Sequence, residues 1–291
     1  MEQFYAIAIT IIAASTPLLI AALGELVAER SGVLNLGVEG MMIMGAVSGF
    51  GATFVTGNPY IGILASIAGG VVMSMLFGFL TLTLLANQVA TGLAVTLLGI
   101  GLSSLIGEGF VGQPIQRLPN FHGINILIIF SFVLTGLVSW FLFRTRYGLM
   151  VRAVGDSHTS AHAMGFSVVG LRYACVAFGG ACAGLAGGYL SIADTPQWVE
   201  NMTAGRGWIA LALVVFSTWL PKRVLFGAYL FGTISILSFA VQTMALGIPS
   251  QLLSCTPYLV TVVALVVISR NRQLLRANTP ACLGQPFLAD R

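Results

Sequence analysis

The chain has 291 residues, of which 57% are hydrophobic, only 8% are charged, and 35 are glycine. Soluble globular domains carry about 25% charged residues, so a water-soluble enzyme, a nucleic-acid-binding domain and a disordered chain are all excluded. The net charge of +4 reports where cytoplasmic loops lie, because those loops concentrate Lys and Arg, and implies no nucleic-acid partner.

An apolar, glycine-rich and charge-poor chain predicts an all-α fold, a polytopic bundle of helices packed through small residues within the lipid bilayer. At about 20 residues per crossing, the length allows about 8–10 transmembrane helices with short loops and no separate soluble domain. The N-terminus, Met1-Glu2-Gln3, lacks the positive region of a signal peptide, so the first apolar run is expected to be retained as a span. Spans are predicted at Phe4–Leu23, Met41–Val55, Ile61–Leu85, Leu93–Gly107, Gly123–Phe143, Ala174–Ala193, Trp208–Leu220, Leu225–Leu246 and Pro257–Ser269. The Met41, Leu93 and Trp208 segments fall short of about 17 residues, which suits short or re-entrant helices.

The charges orient these spans. With the loop 144–172 in the cytoplasm and sides alternating from there, Arg144, Arg146, Arg152, Arg172, Lys222, Arg223 and the arginines of the 270–291 tail all fall inside. Only Arg117 and Arg206 fall outside, and Arg30 joins the inner set if Phe4–Leu23 crosses once. Small residues four apart mark helix contacts. Gly180, Gly184 and Gly188 form one ridge, Gly99, Ser103 and Gly107 a second, and Gly45 with Gly49 a third. Spacing does not say whether such a ridge faces the same chain or another subunit.

One loop is long and polar. In 144–172, Asp156 or Ser157 can cap a helix start and Gly165 suits the left-handed position after a helix end, predicting a helix over His158–Met164 of roughly 10 Å. Such a helix fits either a groove on a soluble partner or the lipid headgroups. His158 and His162 are four apart, but no Glu lies between them and no third ligand is near, so they read as solvated helix histidines and no metal is expected.

Polar residues close to the membrane cluster in the front half: Glu25, Glu29, Arg30, Asn35, Glu39, Asn87, Gln88 and Glu108. Across Ser31–Gly40 the glycines permit broken or re-entrant backbone lined by Asn35 and Glu39, a pathway candidate set against a plain interfacial loop. The neutral amides of Asn35, Asn87 and Gln88 suit a neutral, hydrogen-bonding solute better than an ion. Lys222 is the only lysine and no phosphate-binding loop surrounds it, so the chain has no ATPase of its own. Gly101-Leu-Ser-Ser104 resembles the serine motif of intramembrane proteases, but no histidine lies within a span to act as base, and no catalytic residue is expected.

Three stretches, Glu29-Arg-Ser-Gly-Val-Leu-Asn-Leu-Gly-Val-Glu-Gly40, Ala86-Asn-Gln-Val-Ala-Thr-Gly92 and Gly148-Leu-Met-Val-Arg-Ala-Val-Gly155, resemble the permease subunits of bacterial ABC importers. The likeness is nearest to the branch for simple sugars and nucleosides, related to ribose and branched-chain amino-acid permeases, and spans about residues 10–270. It implies a multi-pass protein of the bacterial cytoplasmic (inner) membrane, paired with a second permease, identical or homologous. It also implies two cytoplasmic ATPase subunits and an extracytoplasmic solute-binding protein. ATP and Mg would sit on the ATPases, with no cofactor on this chain. The loop of Gly155, Asp156, Ser157, His158, Ala161, Met164 and Gly165 would then be the coupling helix that docks on the ATPase. Two alternatives stay open: a secondary transporter or channel driven by an ion gradient, and, within the ABC class, a branched-chain amino-acid permease.

Overall fold

The computed structural model describes residues 2–121, 124–243 and 278–288, together with isolated positions between 255 and 266. Ten helices account for nearly all of this, and the only strand pairing among the described residues joins Asn120–Phe121 to Ile124–Asn125, with Asn120 opposite Asn125. Among the described residues, six helices are long and apolar enough to cross a membrane.

α1 (Glu2–Arg30) contains Pro17, whose missing N–H interrupts the helical ladder, and the hydroxyls of Ser15 and Thr16 donate to the Ile11 and Ile12 carbonyls beside it. Its 29 residues reach about 43 Å, beyond the roughly 30 Å hydrocarbon core. The helix therefore runs past the predicted end at Leu23 and carries Glu25, Glu29 and Arg30 on its last turns. α2 (Val38–Thr56) ends on left-handed Gly57, whose N–H caps the Thr53 carbonyl. α3 (Pro59–Gly78) starts with Pro59 in its first turn and Asn58 capping Tyr60, then widens into a π-helical turn over Phe79–Thr83. α4 (Gln88–Gly107) is capped by Asn87, and α5 (Ile126–Arg144) by Asn125.

After α5 the polar loop contains two helices, where one was expected. α6 (Arg146–Asp156) was not foreseen; it is amphipathic, burying Gly148, Val151, Val154 and Gly155. α7 (His158–Ala163) is the predicted short helix, with Ser157 as its cap and Gly165 in the left-handed region after it. α8 (Val168–Gly188) continues as π-helix to Asp194, α9 is Arg206–Phe216, and α10 is Pro221–Thr243. With 11 residues α9 covers only about 16 Å, half a crossing, as the brevity of the Trp208 segment anticipates. α10, at 23 residues, reaches about 34 Å. The predicted span Pro257–Ser269 lies mostly outside the described residues.

α8 is the hub, packed on α1, α2 and α3. The Gly180, Gly184 and Gly188 ridge explains how, and it is intramolecular. A Cβ on Gly180 would strike the Ser74 side chain, one on Gly184 the Ser66 carbonyl, and one on Gly188 the Ser66 hydroxyl, all on α3. From the other side, a Cβ on Gly45 of α2 would strike the Gly184 backbone, and one on Gly187 the Met42 carbonyl. The second ridge packs on two partners: Gly99 meets Gly40 of α2, and Gly107 meets the Trp198 indole. Lipid gives helices no hydrophobic reason to associate, so this backbone-to-backbone approach supplies the cohesion. The apolar side chains left exposed, such as Leu64, Val72, Leu97 and Leu137, cover the outward faces of α3, α4 and α5.

Two arginines assigned to opposite sides sit at opposite ends of the bundle. Arg172, in the first turns of α8, bonds the end of α1, while Arg117 bonds the Ala193 carbonyl at the opposite end of α8.

Candidate functional site

Between α1 and α2 the chain is irregular yet largely enclosed. Ser31, Val33 and Asn35 are buried, and the segment climbs alongside α4: Leu34 N–H donates to Gln88 Oε1 (2.8 Å), the Leu36 carbonyl accepts from Thr96 Oγ1 (3.1 Å), and Gly40 packs on Gly99. Gln88 to Thr96 is 8 residues of helix, so the segment rises about 12 Å alongside α4 before α2 begins. Non-helical backbone at such depth must find its hydrogen bonds within the protein. Side chains provide them. Glu25 Oε1 accepts from Asn35 N–H (3.2 Å), and Asn35 Oδ1 accepts from Gly37 N–H (2.9 Å). Gln88 Nε2 and Glu25 Oε2 are buried and have no partner among the described residues.

The four pathway candidates separate in this geometry. Asn35 and Gln88 line the rising segment. Asn87 is exposed and caps α4 by accepting from Ala90 N–H (3.0 Å). Glu39, in the first turn of α2, is fully committed: Oε1 accepts from Thr203 Oγ1 (2.5 Å) and Gly205 N–H (2.9 Å), and Oε2 from Gly207 N–H (2.6 Å). One carboxylate thus serves the N-terminal ends of two helices, α2 and the half-crossing α9, where a negative charge is favoured. Gly207 makes the approach possible, since a Cβ there would lie 2.6 Å from the Glu39 backbone.

The far end of α9 is fastened as tightly. Thr218 and Trp219 have left-handed backbone (φ +50° and +54°), which costs non-glycine residues roughly 1–2 kcal/mol each. Trp219 is held by two consecutive residues of α1: its indole N–H donates to Glu29 Oε2 (2.5 Å), and its carbonyl accepts from Arg30 Nη2 (2.9 Å) and Nε (3.2 Å). Sequence reasoning missed Trp219. The available signal was the pair Glu29-Arg30, two opposite charges at the end of an apolar run that require buried partners.

The coupling candidates form a second, connected unit. Gly148 and Gly155 of α6 are points of backbone contact, the first against the Phe141 carbonyl at the end of α5 and the second against the Arg30 carbonyl at the end of α1. On α7 only Ala161 is buried, whereas Thr159, Ser160, Ala163 and Met164 are exposed. Gly155 is buried, Asp156 and Gly165 are exposed, and Ser157 Oγ accepts from Ser160 N–H (3.3 Å). The histidines are not simply solvated: both rings stand 5.3 Å from the Phe287 ring, edge-on. Burial and the nearby Arg172 guanidinium push His158 below its ordinary value. Arg172 itself is buried and donates from Nε to the Ser31 carbonyl (3.1 Å), tying the polar loop to the foot of the rising segment.

Two cavities lie elsewhere in the bundle. One of about 460 Å³ opens among Val27, Leu134, Phe141, Val151, Leu171 and Phe178, and its nearly apolar lining suits no hydrogen-bonding solute.

The rising segment gives a direct test. Gln88→Leu removes the acceptor for Leu34 N–H, and an unsatisfied buried donor costs about 1–3 kcal/mol, so uptake should fall about tenfold or more. Asn35→Leu should act likewise, and Asn87→Ala, losing only an exposed cap, should transport near normally. Normal uptake by both the Gln88 and Asn35 variants, measured with the reconstituted transporter, would remove them from the pathway.

A helical membrane bundle with enclosed, broken backbone and a short helix projecting at its arginine-rich end defines a transport subunit. The chain belongs to the family described as branched-chain amino acid transport system / permease component, whose pattern matches residues 7–269. It is 38% identical to a Haloferax volcanii protein provisionally named a glucose ABC transporter permease, over 94% of each chain. It is 31% identical to the guanosine ABC transporter permease of Bacillus subtilis, over 95% of this chain and 94% of that one. It is 28% identical to a nucleoside ABC transporter permease of Lactococcus lactis, over 87% and 89%. The protein is an ABC transporter permease, embedded in the membrane by several passes.

Proposed function

We propose that this permease carries a nucleoside or a simple sugar inward, and that α7 receives the mechanical work of an ATPase subunit. The carrying observation is the pairing of an exposed outer face on α7 with a buried inner connection, through α6 and Arg172, to the rising segment. ATP binding would close a pair of ATPase subunits against α7 of this chain and its counterpart on a second permease. Movement of α6 would then press on Arg30, and Arg172 would shift Ser31, altering the segment that Asn35 and Gln88 line. The solute class rests on the names of the relatives and on the neutral amides in that segment. A solute-binding protein outside the cell would deliver the cargo and choose it.

Replacing residues 156–165 by a flexible linker should leave the protein in the membrane and abolish ATP hydrolysis stimulated by the loaded binding protein. Uptake persisting after that replacement would overturn the coupling role.

A second reading, an ion-gradient-driven carrier, gains from one observation: Glu25 and Glu29 are buried one turn apart on α1. Both, however, hold structural partners in Asn35 N–H and Trp219. Uptake by this chain alone in liposomes, driven by an ion gradient without ATPase, would favour it.

A further inference from the structure

The coupling helix cannot hold its own position. At six residues it is far below the length at which an isolated helix is stable, and its inner face offers the core only the Ala161 methyl. What fills the space beneath it comes from the other end of the chain. Phe287, only 8% exposed, packs with Val154 of α6, Ala161 of α7 and Val168 of α8, and its ring meets the edges of His158 and His162. The tail that brings Phe287 there is fixed by backbone hydrogen bonds at three points. Cys282 N–H donates to the Gly155 carbonyl (2.9 Å), Gly284 N–H to the Gly32 carbonyl (3.0 Å), and the Gln285 carbonyl accepts from Arg172 Nη1 (3.1 Å). Gly32, at φ +87°, has a backbone that strains any side chain, and a Cβ there would lie 2.9 Å from Arg172 Nη2 and 3.2 Å from the Cys282 carbonyl.

These contacts converge. Arg172 grips both the tail and Ser31, and the tail grips both the end of α6 and the turn that opens the rising segment. We propose that residues 280–287 are a working part of the transmission, a clasp joining the coupling helix to the membrane-depth segment, with Phe287 as the positioning residue that sets α7. The inference rests on the coupling role given to α7 above. Because Phe287 occupies the inner face, the outer face of Thr159, Ser160, Ala163 and Met164 stays free for the ATPase.

The test uses the full transporter, this chain with its ATPase, partner permease and binding protein, in nanodiscs and proteoliposomes. Guanosine and glucose serve as parallel uptake probes. Phe287→Ala should lower solute taken up per ATP hydrolysed about tenfold, since losing a buried Phe costs more than the ~1.4 kcal/mol that shifts an equilibrium tenfold. Amide exchange over 157–165 and at Gly32 should rise in the same variant. Phe287→Leu, which keeps most of the apolar volume, should restore both readouts, and a chain ending at Gln285 should match the alanine variant. The ratio is read per ATP, so it is decisive even if less complex assembles. An unchanged ratio in both the alanine and shortened chains, or unchanged exchange over 157–165, overturns the clasp. If the 156–165 linker uncouples transport while these variants do not, only the clasp fails; if the linker itself leaves coupling intact, the role of α7 fails first.

Discussion

Gly184→Val is expected to prevent the permease from folding, with recovery of monodisperse protein from membranes falling to background. Gly184 is pressed from two sides, its own position against the Ser66 carbonyl and Gly70 of α3 and its backbone against Gly45 of α2. A branched side chain would force α3 outward. Overpacking a core site costs typically 1–3 kcal/mol, and here the obstacles on α3 are main-chain atoms that cannot rotate aside. Lipid does not compensate, because helices in a bilayer gain cohesion from packing itself. Gly101→Val is the control, since a Cβ there meets nothing within 4 Å and the position is exposed. Size-exclusion profiles and thermal midpoints of the two variants in detergent decide the matter; a Gly184→Val protein as stable as the Gly101→Val protein would show that the ridge is not a structural contact.

Glu39→Ala is the second large effect. It strips the acceptors from Thr203 Oγ1, Gly205 N–H and Gly207 N–H, all at the buried start of α9. Each orphaned donor costs about 1–3 kcal/mol, so a total loss of about 3–9 kcal/mol is expected, a large share of ordinary stability. Glu39→Gln should fall between, because its amide oxygen still accepts whereas its NH₂ group faces donors. Proteolysis within 195–205 should accelerate in the alanine variant as α9 loses its anchor. Unchanged thermal midpoint and cleavage would mean that Glu39 is not the fastening of α9, and would return it to the list of residues available to solute.

Much of this was legible because membrane insertion writes itself into composition. Helices α1 to α5 and α8 follow from apolar runs alone, and the Gly165 and Ser157 signals placed α7 within one residue. The broken backbone after α1 was also foreseeable from glycine and amide residues in an apolar context. α6 was hidden because its apolar positions, Val151 and Val154, are spaced among arginines and glycines that read as loop. Glu39 looked like a pathway group for a related reason: a buried carboxylate in isolation signals function, and its three donors lie more than 160 residues away in sequence. Long separations in sequence likewise hid Trp219 from Glu29 and Phe287 from His158.

The sequence by itself therefore determined the lipid environment, the helical class and the small-residue ridges, because each depends on local hydropathy or spacing. The tertiary structure alone decided which helices those ridges join, which polar side chains are spent on fastening rather than left for solute, and that the C-terminal tail underlies α7. Those outcomes depend on hydrogen bonds and packing between segments far apart in the chain, and no local pattern encodes which distant donor or ring will arrive.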